Sequence, residues 1–242
     1  MDSSSPSPPA MKDGKYRNWA ELPPELISSI LHRLGAIEIL ENAQKVCISW
    51  RRVCKEPSMW RKIEMVNLPI CDYDYVSMCR HAVDRSQGGL VEIEIWEFGS
   101  DYLLNYIADR SSNLRSLRLV MCYPITDEGF IEAVEKLPVL EYLEVSHCSL
   151  SGESLRVAGQ SCPNLKTLKL SCTPDPSFNA LEFNNDEALA IAESMPGLHY
   201  LQLSGNRLTN TGLDAILDGC SHLEQLKLHK CLNVNLVMDV EK

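Results

Sequence analysis

Residues 114–122 read LRSLRLVMC, with Leu114, Leu117 and Leu119 spaced as apolar, two variable, apolar, one variable, apolar, and a cysteine three positions further on. The spacing returns at Leu140/Leu143/Val145, Leu165/Leu168/Leu170, Leu198/Leu201/Leu203 and Leu223/Leu226/Leu228, and upstream at Leu90/Ile93/Ile95. Successive first positions lie 24, 26, 25, 33 and 25 residues apart, and the long interval holds the Pro-rich insert TPDPSFNALEFN at 173–184. One pattern returning at this period points to stacked units sharing a continuous core.

Three residues past the last apolar position stand Phe98, Cys122, Cys148, Thr173, Asn206 and Cys231, so Asn or Cys fills four of six. This is the leucine-rich-repeat signature. A small side chain with a donor fits inside the turn after the strand and bonds neighbouring backbone, which gives Cys122, Cys148 and Cys231 a structural task. Thr126, Ser151 and Asn185, each followed by acidic residues, are expected helix starts, and Pro138, Pro163 and Pro196 stop three helices. The expected fold is α/β: a leucine-rich-repeat solenoid of six units over 90–231, with a curved parallel sheet and outer helices.

Side chains alternate along a strand, so the residue between the last two apolar positions points away from the core. That row reads Glu94, Arg118, Glu144, Lys169, Gln202 and Lys227, flanked by Glu92, Trp96, Glu97, Val120, Met121, Tyr142, His147, Tyr200, His229 and Lys230. Arrays of this kind bind through the concave face. Trp96, Tyr142 and Tyr200 are the expected anchors, because Trp and Tyr dominate interface energetics.

Composition excludes several function classes. The net charge is −10; residues 1–18 and 19–61 each carry +1, leaving −12 on 62–242, a field that repels phosphate backbones and argues against nucleic acid. No run approaches the length of a membrane span, and no apolar signal stretch follows the first charges, so a nuclear or cytoplasmic location is expected and no membrane role. The ten cysteines form no C-x-x-C pair and no ligand spacing with histidine, so neither metal, cofactor nor disulfide framework is expected. No phosphate loop, dinucleotide fingerprint or nucleophile elbow occurs, and no catalytic residues are assigned.

Residues 1–18, rich in Ser and Pro and poor in apolar residues, are expected to be a disordered tail. In 19–61 the period changes to helical: Leu26, Ile27, Ile30, Leu31 and Leu34 follow Pro23 and Pro24, and Ile39, Leu40, Ala43, Val46, Cys47, Trp50 and Val53 form a second stripe after Gly35. Residues 62–89 read as a connecting degenerate repeat, with Trp60/Ile63/Met65 as a strand and a helix over 73–85. After Cys231 the stretch 232–242 is too short for another helix and cap, so the last unit is expected to be frayed, shortened or covered by a partner.

The stretch WAELPPELISSILHRLGAIEILENAQKVCISWRRVCKEPSMW, 19–60, resembles an F-box through Leu22-Pro23, Glu25-Leu26, Ile30-Leu31, Leu34, Ile39-Leu40, Val46-Cys47, Trp50-Arg51, Pro57 and Trp60. It departs at Glu38, Ile39 and Ile48, where aspartate, leucine and arginine are common in that family. With the repeats, the chain looks most like plant F-box/LRR-repeat proteins of the Skp-interacting type. The resemblance implies a non-catalytic substrate-recognition subunit of a Skp-cullin-F-box ubiquitin ligase, with a Skp-family adaptor linking it to cullin and RING proteins and the repeats holding an unknown protein target for ubiquitination and proteasomal degradation. By position it implies adaptor contacts at Leu22, Pro23, Leu26, Ile30, Leu31 and Leu34, with Val46, Trp50 and Trp60 either holding the helices together or joining that contact. The target would meet Glu94, Trp96, Arg118, Tyr142, Glu144, Lys169, Tyr200, Gln202 and Lys227. A small-molecule receptor using the arc and an F-box scaffold outside any ligase are the alternatives.

Overall fold

In a computed structural model, residues 19–67, 73–148, 150–172 and 184–235 are described. The expected tail over 1–18, the turn position Thr173, almost all of the insert, and residues 236–242 lie outside them.

Three short helices come first: α1 (Pro24–Leu31), α2 (Ala36–Glu41) and α3 (Ile48–Val53), with 3-10 turns at Ala43–Lys45 and Pro57–Trp60. The stripe expected to run unbroken from Ile39 to Val53 is therefore divided. Asn42 leaves the helical region at φ −121°, and Cys47 is fully extended before α3 begins. Strand and helix then alternate: β1 (Lys62–Val66), α4 (Tyr75–Ser86), β2 (Glu92–Trp96), α5 (Asp101–Arg110), β3 (Ser116–Val120), α6 (Asp127–Val134), β4 (Tyr142–Ser146), α7 (Gly152–Ser161), β5 (Thr167–Ser171), α8 (Asp186–Ser194), β6 (Tyr200–Ser204), α9 (Asn210–Gly219) and β7 (Gln225–His229).

The seven strands form one parallel sheet in sequence order, and each triplet aligns with the next. Ile63, Ile93, Leu117, Leu143, Leu168 and Leu201 make one buried row, whereas Leu226 on β7 is only half-buried. Parallel strands repeat every ~4.8 Å but packed helices need ~8–10 Å, so the helical layer is the longer one and the strand face is concave. Each of β1–β6 is followed by a residue that donates its N–H to the next strand, among them Met121 to Ser146 C=O (2.8 Å) and Gly205 to His229 C=O (2.8 Å), both at positive φ. Glycine takes that backbone freely; Glu97, Met121, His147 and Lys230 take it at some cost.

The turn cysteines behave as the repeat pattern predicts. Cys122 Sγ donates to Ile95 C=O (3.5 Å), Cys148 to Leu119 C=O (3.9 Å) and Cys231 to Leu203 C=O (3.7 Å), each reaching the preceding coil. Thr126 and Ser151 cap α6 and α7 by accepting from the N–H of Gly129 (3.1 Å) and Ser154 (3.4 Å). Asn185 does not cap α8; its side chain turns to the next coil and accepts from Thr209 N–H at 2.9 Å. Asp101 to Thr126, Asp127 to Ser151 and Asn210 to Asn235 repeat this bond at 2.8–2.9 Å, a ladder along the helix starts.

The helical module does not hang on a linker. One continuous core runs from Ile27 and Leu31 through Trp60 and Ile63 into the repeats. No helix among the described residues is long and apolar enough to cross a membrane.

Candidate functional site

Two surfaces carry the expected contacts. On the helical module, the 3.6-residue period of α1 separates its stripe into two faces. Ile27 and Leu31 turn inward and are fully buried, while Leu26 (52% exposed) and, partly, Ile30 turn outward. Leu31, expected as a contact residue, differs from Leu26: its side chain is fully buried and belongs to the core. Pro23 is exposed, and Leu22 and Leu34 are half-buried. Trp50 and Trp60 are buried and hold the module together: Trp50 Nε1 donates to Trp19 C=O (3.2 Å) and Trp60 Nε1 to Cys54 C=O (2.9 Å). Val46, in contrast, is 56% exposed and does no such holding. Ile48 and Trp19, not expected from sequence as contacts, are 78% and 59% exposed. Ile48 stands where the family commonly has arginine, and that substitution was the available signal.

On the concave face, one row in register reads Glu64, Glu94, Arg118, Glu144, Lys169, Gln202 and Lys227. Glu64 is the member that sequence reasoning missed, because its strand lacks the leucine triplet. All nine expected contact residues join one chain of interactions. Trp96 Nε1 donates to Glu94 (2.6 Å), Glu94 accepts from Arg118 (3.0 Å), and Tyr142 Oη donates to Glu144 (2.6 Å). Lys169 Nζ lies 3.8 Å from Glu144, and Tyr200 Oη donates to Gln202 (3.0 Å). The cations also cover the rings: Arg118 lies 4.8 Å and Lys169 5.2 Å from the Tyr142 centroid, and Lys227 lies 5.3 Å from Tyr200. Hydrogen bonding to the Tyr142 oxygen and the nearby Glu144 carboxylate hold the Lys169 pKa above its ordinary value, although burial opposes this. Burial and the Glu144 hydrogen bond push the Tyr142 phenol up as well. The middle of the face is therefore pre-organised, with Arg118 and Lys169 paired to Glu94 and Glu144 and held near the rings.

A helical module with an uncovered apolar face, fused to an ordered concave ladder, is an arrangement suited to binding two macromolecules at once. Comparison with known proteins agrees with both halves. A family model described as F-box-like matches residues 19–65, and a Leucine Rich repeat model matches 196–217. From Arabidopsis thaliana, "F-box protein SKIP19" is 66% identical over 245 residues, covering 100% of this chain and 79% of that protein. "Putative F-box/LRR-repeat protein 23" is 65% identical over 243 residues, covering 99% of this chain, which spans 54% of that relative's length. "Putative F-box/LRR-repeat protein 9" is 58% identical over 247 residues, with 99% and 98% covered. The chain belongs to the F-box/LRR-repeat protein family.

Proposed function

We propose that the protein is a non-catalytic substrate-recognition subunit of a Skp-cullin-F-box ubiquitin ligase, acting in the nucleus and/or cytoplasm. Its helical module binds a Skp-family adaptor through Leu22, Pro23, Leu26, Ile30 and Leu34, joined by Val46 and Ile48. The observation that carries the reading is the exposure of Leu26, Val46 and Ile48 on a module whose other large apolar side chains are mostly spent in the shared core. Exposed apolar side chains of this kind mark an interaction site.

The concave ladder holds the protein target, and the enzymes recruited through the adaptor perform the transfer. The chain's contribution is proximity and orientation, a large share of any bimolecular rate. The continuous core between module and repeats supports this, because a fixed angle between adaptor and target preserves that orientation. Affinity purification of the tagged full chain tests the reading. Recovery of adaptor together with cullin is expected, and recovery of the adaptor without cullin would contradict it.

A further inference from the structure

We propose a second docking site, adjoining the concave ladder at Glu64: a groove along the free edge of β1 that takes an acidic segment of a protein partner as an added strand. The groove, of about 700 Å³, lies between the α1–α2 corner and β1.

Strand β1 is the terminal strand of the sheet. It pairs with β2 through its odd-numbered residues: Glu92 N–H donates to Arg61 C=O at 3.1 Å, and Asn67 N–H donates to Trp96 C=O at 3.4 Å. Alternation in a parallel ladder turns the N–H and C=O groups of Lys62, Glu64 and Val66 the other way. All three residues line the groove, and no hydrogen bond from those backbone groups is found among the described residues. A row of unpaired strand groups is a template for another chain. Five residues of β1 offer ~17 Å of edge, enough for a segment of about five residues.

Charge selects the kind of segment. Against a net charge of −10 for the chain, this groove is lined by Arg33, Arg61 and Lys62, with Glu64 its one acid. Lys62 is shared with Glu92 at 3.3 Å, whereas neither Arg33 nor Arg61 has an ion-pair partner among the described residues. The opposite wall offers the half-buried Ile37. An extended segment alternating apolar and acidic residues satisfies all three: apolar side chains on that wall, carboxylates near the two arginines, backbone on the β1 edge.

The test is fluorescence polarisation of the full chain with a fluorescein-labelled heptapeptide alternating valine and aspartate. Binding is expected to weaken at least tenfold when lysine replaces aspartate, and likewise in an Arg33→Glu/Arg61→Glu variant. Glu64→Pro is the sharper probe. It removes an N–H that faces outward, a position where an edge strand tolerates proline, so the circular-dichroism spectrum stays unchanged while affinity falls at least tenfold. Should that variant misfold, a peptide N-methylated at alternate residues reports the same bond and is expected to bind at least tenfold more weakly. Full affinity for the N-methylated peptide or for folded Glu64→Pro would overturn strand addition. So would self-association of the chain abolished by Glu64→Pro, which would make a second copy the occupant.

Discussion

The guanidinium of Arg85, on α4, lies over the indole of Trp60 with its carbon 5.4 Å from the ring centroid, and its Nη2 donates to Gln44 Oε1 at 2.9 Å. These contacts tie the first repeat helix to two turns of the F-box. Burial lowers the Arg85 pKa, so the charge is held at this junction against a desolvation cost.

Trp60→Ala should therefore destabilise the F-box and the first repeat together, by about 3–5 kcal/mol, the usual cost of truncating a buried Trp. Urea denaturation followed by hydrogen exchange checks this. Loss of protection in α1–α3 and α4 in one step is expected, and loss confined to α1–α3 would show that the two parts unfold independently.

Arg118 lies between Glu94 at 3.0 Å and Glu144 at 3.9 Å. Both pairs are partly exposed, so Arg118→Ala should cost no more than about 1 kcal/mol of stability. Arg118→Glu, which sets three carboxylates side by side, should change which proteins are captured in proximity labelling while leaving adaptor recovery unaltered. An identical set of captured proteins would remove the ladder from target recognition.

Asp127 accepts from Ser151 N–H at 2.9 Å and from the Ser154 hydroxyl, linking α6 to the next coil. Burial alone would raise its pKa, but the hydrogen bonds from Ser154 and Ser151 outweigh it and hold it below the ordinary aspartate value. A depressed folded pKa means stability present above the unfolded value of ~3.9 and lost as pH falls through the folded one. Thermal melts at about pH 6 and about pH 2 should show Asp127→Asn less stable than wild type at the first, with the gap shrinking at the second. A gap independent of pH would dismiss the carboxylate's role.

Much of the array was legible from Leu90 to Cys231, because a buried strand needs its leucines at fixed spacing and the pattern repeats. The strand at Lys62–Val66 was harder to read: Ile63 and Met65 fill the same buried row without a leucine, and so Glu64 went unnoticed on the concave face. In α1 the stripe was visible but its division was not. Leu26, Ile27, Ile30 and Leu31 are alike in hydrophobicity, and only the packing of α1 against α3 shows which pair is spent inside. The use of Asn185 also could not be read, since an Asn before a helix serves equally as a cap or as a bond to the neighbouring coil.

The difference between Leu31 and Leu26 separates folding from binding. Leu31→Ala should cost about 2–5 kcal/mol, since its side chain is fully buried. Leu26→Ala, half outside, should leave the denaturation midpoint nearly unmoved. Equal destabilisation by the two would mean that the outward face is not free.

The central claim, that the exposed face of the helical module binds a Skp-family adaptor, is tested most directly by calorimetric titration of purified adaptor into the chain and into Leu22→Ala/Pro23→Ala and Leu26→Asp/Val46→Asp variants. Each pair of substitutions is expected to weaken binding by about 2 kcal/mol or more, roughly 30-fold, with the melting temperature little changed. Undiminished affinity in both folded variants would contradict the account.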